Sequence, residues 1–338
     1  AELLLVGKLA TPGFTTIFGL TAGVVYWSRY VRGDRQRAHA ALRSHTRSLG
    51  VAVLILAPLA LWGTYHQRPL TTLGILCCLY SVLLTYTLVI SSLHVLLPVL
   101  SHHPLARALG LAAVFWLLHE ALAFVLLTRG FANPGLEFAR LVGVSGQYGF
   151  LAMLGWATLM MPLGFRLRRE LERGGVVPGF ARLAGYGLGM VALGTVLGGA
   201  WGELDLRRIS LDSGDVRAPA RFWCFSFFGG LTLLILAALG LVSRFLPGGQ
   251  AALRPLGWLG RRPLTLYVSH AFVLPLVQVV KVGTGIRSSL MVDLAAVGLF
   301  GLFVVLLIGQ EACRDRRARQ AACGEAVAGP ALARISSP

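Results

Sequence analysis

Charged residues are scarce in this sequence. Asp, Glu, Lys and Arg make up 13% of its 338 residues, whereas a soluble globular protein has about a quarter. Hydrophobic residues make up 56%, and the mean hydropathy is +0.71. Several apolar runs exceed the roughly 18 residues with which a helix crosses a hydrocarbon core. The composition excludes a soluble enzyme and predicts an all-α, polytopic transmembrane bundle.

The motifs of soluble active sites are also missing. The sequence contains no GxSxG elbow, no HExxH pair and no glycine-rich phosphate loop between a strand and a helix. Its five cysteines form no CxxC pair and have no metal-ligand spacing with histidine. We therefore expect neither a disulfide framework nor a metal site.

Acidic residues are the scarcer of the two charge types. The sequence contains 14 Asp and Glu but 31 Lys and Arg, which gives a net charge of +17. The arginines cluster in short connections between apolar runs, a pattern that sets membrane orientation. We therefore expect the lipid bilayer, and not nucleic acid, as the partner of this charge. The same basic face could also hold anionic lipid or a polyanionic cofactor such as a CoA ester.

Nine apolar runs predict nine spans within a single bundle over 1–311, followed by a basic, disordered cytoplasmic tail over 312–338. The basic connections all fall on one side of nine spans, and the positive-inside rule makes that side, with the C-terminus, cytoplasmic. A tenth helix before Ala1 would place both ends there. The Arg, Ala, Leu and Gly bias is typical of a bacterial protein, and hence of a bacterial cytoplasmic membrane. The spans cover roughly 12–29, 48–64, 71–93, 105–127, 143–165, 183–201, 222–243, 263–283 and 288–310.

Few ionisable residues lie within the spans, where they are costly and face the bundle interior or a watered cavity. His119 and Glu120 are adjacent in the fourth span. Neighbouring residues point ~100° apart on a helix, so we expect one of them to meet another helix. They are candidate catalytic residues.

The eighth span holds the second candidate. Tyr267 and His270 are three residues apart and share one helix face. A phenol that orients an imidazole is a plausible general base, although a packed histidine satisfied by a neighbouring helix explains the pair equally well. Pro275 should bend the helix beyond them.

Six arginines are the candidate phosphate ligands, because a guanidinium matches phosphate geometry. They are Arg261, Arg262, Arg29, Arg32, Arg43 and Arg47. The histidines around them, His39, His45 and His94, are expected to be solvated. In the sixth span, the Gly185–Gly189 and Gly194–Gly198 spacings predict close helix packing.

Three segments resemble, in order, the heparan-α-glucosaminide N-acetyltransferase catalytic-domain family, and more distantly the integral-membrane acyltransferase-3 family. The first has an FxxxxG pattern before a basic exit, the second resembles a "GIL" helix, and the third carries the Tyr267–His270 pair. They are PGFTTIFGLTAGVVYWSRYVRG at 12–33, LTTLGILCCLYSVLLTYTLV at 70–89 and LGWLGRRPLTLYVSHAFVLPLV at 256–277.

The resemblance implies an acyltransferase that takes an acyl group, acetyl first of all, from cytoplasmic acyl-CoA. The acceptor would be a sugar or cell-envelope glycan on the other side of the membrane. A homodimer is compatible with this function. The alternatives are a transporter or export component for a lipid-linked or anionic solute, and a catalytically inactive member of the family.

Overall fold

The computed structural model describes residues 2–65, 71–79, 82–101, 104–127, 131–144, 149–200, 221–246, 248 and a few positions between 298 and 309. The described residues are helices joined by turns. The chain divides into two compact units, Ala1–Pro255 and Leu256–Pro338. Almost all described residues belong to the first unit, to which the following account applies.

The N-terminal part is a long helical rod. Helix α1 (Glu2–Thr21) continues through a π-helical segment (Ala22–Trp27) into α2 (Ser28–Val31). Gly33, with φ +89°, then turns the chain into α3 (Arg35–Tyr65). A positive φ suits glycine because a side chain would be strained there. The basic connection over 29–47, read from the sequence as a loop, is therefore largely helical.

The middle of the unit contains helices of very different length. These are α4 (Thr72–Leu79), α5 (Val82–Leu100), α6 (Pro104–Leu127) and α7 (Pro134–Val144). Helix α7 lies where the sequence analysis placed a connection. Its Arg140 is buried and forms an ion pair with Glu137, and Arg140 Nε donates to Glu137 Oε2 at 2.9 Å. This pairing offsets the cost of burying a guanidinium.

A tight hairpin joins α8 (Phe150–Glu172) to α9 (Val176–Ala200). Gly174 has a φ of +78°, its N–H donates to the Leu171 carbonyl at 3.1 Å, and the Gly175 N–H donates to the Glu170 carbonyl at 2.9 Å. These two bonds form a Schellman motif, which satisfies carbonyls at the end of α8. Helix α10 (Phe222–Phe245) packs antiparallel to α9, since Gly194 lies against Phe227 and Gly240 against Phe180.

The protein is a helical membrane protein. Among the described residues, five helices are long and apolar enough to cross a bilayer, and they overlap the third to seventh predicted spans. The bounds of the third span were wrong, because 71–93 falls across two helices, α4 and α5. The first two predicted spans lie in α1–α2 and α3, which are not among these five, and the last two lie largely outside the described residues. The five are Leu83–Leu100, Leu105–Val125, Phe150–Glu172, Val176–Ala200 and Phe222–Phe245.

Glycines allow the helices to approach closely. A Cβ on Gly23 would come within 2.1 Å of the Met161 carbonyl oxygen, and one on Gly164 within 2.1 Å of the Leu20 carbonyl oxygen. The N-terminal rod and α8 therefore touch backbone to backbone, and Trp27 stacks on Phe165 at 5.2 Å beside this contact. In membrane proteins, small residues at a helix contact allow the two backbones to approach closely.

The packing face of α9 was only partly predicted. Gly194 and Gly198 are buried as expected, but Gly185 and Gly189 are exposed and a Cβ on either would meet open space. The buried stripe instead runs through Gly179, Leu183 and Gly187 before it reaches the later pair. The prediction was wrong by half a turn because glycines occupy both faces of this helix.

Candidate functional site

Two histidines from different helices meet in the first unit. His39 of α3 and His94 of α5 have their Nδ1 atoms 2.9 Å apart, and their rings lie nearly parallel with centroids 5.1 Å apart. A hydrogen bond between these atoms requires one Nδ1 to donate and the other to accept. The contact therefore links the side chains of α3 and α5 directly.

The pair lines an open cavity of about 760 Å³. This volume lies within the range of ligand pockets. Most residues of the cavity wall belong to α3, where residues four apart lie on one helix face. Asp34 lies next to the cavity, and its Oδ2 is 3.7 Å from Arg37 Nη1. The other lining side chains are Arg35, Gln36, Arg37, Ala40 and Arg43. The cavity is thus cationic and contains a histidine pair.

Aromatic side chains support the histidines from the N-terminal rod. Tyr30 packs edge-on against His39 with centroids 5.7 Å apart, and the Arg35 guanidinium lies over the Tyr30 ring at 5.2 Å. One turn earlier, the Tyr26 hydroxyl is 2.7 Å from His45 Nδ1. These contacts fix the start of α3 against the rod and hold the His39 ring in place.

The predicted phosphate ligands divide into separate groups. Arg43 lines the cavity. Arg32 instead forms an ion pair with Glu172 at the end of α8, and Glu172 also accepts from Arg168 Nε at 2.5 Å. Arg29 and Arg47 are exposed and do not line the cavity. The Arg32–Glu172 contact joins two arginine-rich regions, 29–47 and 166–182, which we call the basic end of the bundle.

His119 lies deeper in the bundle. It is fully buried, and its ring packs edge-on against Trp116 at 5.5 Å. Trp116 in turn contacts Phe222 and Phe225 of α10. At about 1.5 Å per residue, His119 is roughly 13 Å farther from the α5–α6 connection than His94. The surroundings of His119 are a packed aromatic core.

Glu120 points away from this core, as its ~100° separation from His119 predicts. Its side chain is 45% exposed, and Oε2 lies 4.0 Å from Arg221 Nη1 at the start of α10. Glu120 thus meets an arginine of a different helix. The structure does not bring His119 or Glu120 to the His39–His94 cavity.

The remaining predicted residues, His270, Tyr267, Arg261 and Arg262, lie outside the described residues. Within the described ranges, no group of three or more His, Cys, Asp or Glu could hold a metal ion.

The cavity was not predicted from the sequence. His39 and His94 were expected to be solvated, because the two residues are 55 positions apart and nothing in either segment indicates the other. One signal was present in the basic connection. Arg35, His39 and Arg43 recur every four residues, which predicts one face of a helix. Comparison with known proteins adds no template, since no family model, no curated protein and no solved structure matches this chain.

Proposed function

We propose that the protein is an integral-membrane acyltransferase that takes an acyl group, acetyl first of all, from acyl-CoA. The acceptor is a sugar or cell-envelope glycan that approaches from the other side of the membrane. The observation that supports this proposal is the cationic cavity with its histidine pair. A CoA ester requires sites for several phosphates and a group that manages one proton, and Arg35, Arg37, Arg43, His39 and His94 offer both.

The chemistry needs one proton acceptor. The acceptor hydroxyl or amine attacks the thioester carbonyl, and a histidine of the pair takes its proton. The new C–O or C–N bond forms as the C–S bond breaks, and the CoA thiolate leaves with the proton to give the free thiol. A neutral imidazole suits this role because it exchanges a proton near neutral pH.

The proposal also includes an orientation. The basic end faces the cytoplasm, where acyl-CoA is found, and nine spans of this chain lie in a bacterial cytoplasmic membrane with the C-terminus inside. The arginines at the basic end support this orientation through the positive-inside rule. His119 and Glu120 then lie toward the acceptor side, and Tyr267 and His270, with Arg261 and Arg262 at the mouth, remain candidate participants.

The test is acetyl-CoA binding and turnover by the purified protein in lipid nanodiscs. We expect saturable CoA binding in calorimetry, weakened about tenfold by Arg43→Gln, since each lost phosphate contact costs about 1–2 kcal/mol. Arg47→Gln removes the same charge outside the cavity and should leave binding within about twofold. Absence of CoA binding at millimolar concentration would refute the proposed function.

A further inference from the structure

A second cationic concavity lies on the basic end, between the last turns of α8 and the first half of α9. It encloses about 320 Å³. Its lining residues Arg173 and Gly179 flank the Schellman turn at Gly174 and Gly175. Along its floor, Gly179 allows close approach, since a Cβ there would lie 3.3 Å from Glu170 Cβ. We call it the α8–α9 groove.

The groove carries an excess of positive charge. Four arginines and one glutamate line it, namely Arg166, Arg169, Arg173, Arg182 and Glu170. Glu170 is paired with Arg182, and the Arg169 guanidinium lies over the Phe165 ring at 4.9 Å. Among the described residues, neither Arg166 nor Arg173 has a carboxylate partner; Arg166 Nη1 donates to the Tyr186 hydroxyl at 3.2 Å. Two guanidinium groups are therefore available to an anion.

An apolar strip continues from the groove along α9. Arg182, Tyr186, Gly189, Leu193 and Val196 follow one another at spacings of four and three residues, so they share one helix face. Leu193 and Val196 are 44% and 67% exposed. A Cβ on Gly189 would meet open space, so the strip has a notch directly beyond Tyr186. The face changes from cationic to apolar where a membrane-buried helix meets the headgroup layer.

We propose that the α8–α9 groove binds one anionic phospholipid. Its phosphate lies between Arg166 and Arg173, and its acyl chains follow the strip from Tyr186 to Val196. Guanidinium forks match phosphate oxygens, and Tyr186 has the amphipathic ring typical of the headgroup boundary. The apolar strip favours a lipid over a free phosphate as the ligand, because only a ligand with hydrocarbon chains can cover it.

The test is native mass spectrometry of the detergent-purified protein titrated with phosphatidylglycerol, with phosphatidylcholine and inorganic phosphate as separate arms. We expect one tightly held phosphatidylglycerol, at least tenfold tighter than phosphatidylcholine, and no comparable retention of phosphate. The double variant Arg166→Gln/Arg173→Gln should weaken phosphatidylglycerol binding at least tenfold. The control Arg107→Gln/Arg244→Gln removes two charges of α6 and α10 outside the groove and should change it less than twofold.

A second variant tests the apolar strip. Gly189→Phe fills the notch but leaves every charge in place, so it should weaken the lipid about fivefold or more. Equal losses in the groove and control double variants would overturn the proposal and indicate diffuse electrostatic attraction. Retention of inorganic phosphate as strong as that of the lipid would overturn it as well, as would unchanged binding in Gly189→Phe. None of these measurements uses acyl-CoA, so they are independent of the proposed function.

Discussion

His39 Nδ1 lies 2.9 Å from His94 Nδ1, and this contact joins α3 to α5 at the wall of the cationic cavity. Only a pair with one donor and one acceptor nitrogen can make it, so loss of either ring leaves the other Nδ1 without this partner. The first prediction follows from this coupling.

His39→Ala and His94→Ala should each lower acyl transfer by about 10²–10⁴-fold, the usual contribution of a general base. If the rings act as one unit, the double variant will be no slower than the worse single variant, because effects within a catalytic unit are not additive. The measurement is single-turnover transfer of labelled acetyl from acetyl-CoA. His45→Gln, also in α3 but outside the cavity, is the matched control: it removes an imidazole, keeps a polar side chain that can bond the Tyr26 hydroxyl, and should retain activity.

Additive losses in the double variant would contradict coupling between the two rings. If both single variants kept full activity and His270→Ala were inactive, the catalytic base would lie in the eighth predicted span instead.

The close contact between the rod and α8 predicts a large effect of a single methyl group. Gly164→Ala places a Cβ against the Leu20 carbonyl, so it should destabilise the protein by about 1–3 kcal/mol. Gly110→Ala makes the same change on α6, where a Cβ meets open space, and should be neutral or stabilising by up to about 1 kcal/mol. Thermal unfolding in detergent compares the two variants. Equal stability would mean that the backbones are farther apart than described.

A buried hydrogen bond between α1 and α8 gives the third prediction. The Trp156 indole N–H donates to Thr16 Oγ1 at 2.8 Å, and both residues are fully buried. Thr16→Val leaves this donor without its acceptor and should cost about 1–3 kcal/mol. Thr195→Val is the control, because Thr195 is exposed and bonds only within α9, to the Val191 carbonyl. Both are compared by chemical denaturation; a control that loses as much stability would rule out this bond as the cause.

The orientation is tested with single cysteines in a background whose five native cysteines are replaced. Gln36→Cys and Arg173→Cys lie at the basic end, and Ala132→Cys lies in the turn between α6 and α7. A membrane-impermeant maleimide should label the first two only in inverted vesicles and the third only in right-side-out vesicles. Labelling of all three from one side would contradict the proposed topology.

The sequence predicted a helical membrane fold because that fold depends on the overall composition of the chain and on long runs of apolar residues. Long apolar runs predict membrane helices and the arginines mark their shared end, but the number of spans did not follow: nine were predicted, and five helices of span length occur among the described residues. The structure supports the shared end directly: the Arg32–Glu172 ion pair brings together two basic connections that the sequence had assigned to one side.

Residue-level packing was harder to predict. On α9, glycines lie on both faces, so spacing alone could not separate buried Gly187 from exposed Gly189. The meeting of His39 with His94 depends on how α3 crosses α5, which is decided by side-chain packing and not by either segment. His119 and Glu120 were easier, since adjacent residues on any helix must diverge.

The π-helical segment Ala22–Trp27 has a consequence for how the cavity is built. A π turn contains one residue more than an α turn, and the Ser28 N–H accordingly reaches back five residues to the Gly23 carbonyl. Each residue after it is turned about 100° from the direction that an uninterrupted helix would give. Removing one residue at Val24 or Val25 would rotate Tyr30 away from His39 without altering any side chain of the cavity. The segment therefore sets the rotation of the rod about its own axis, and with it the direction from which Tyr30 packs against His39.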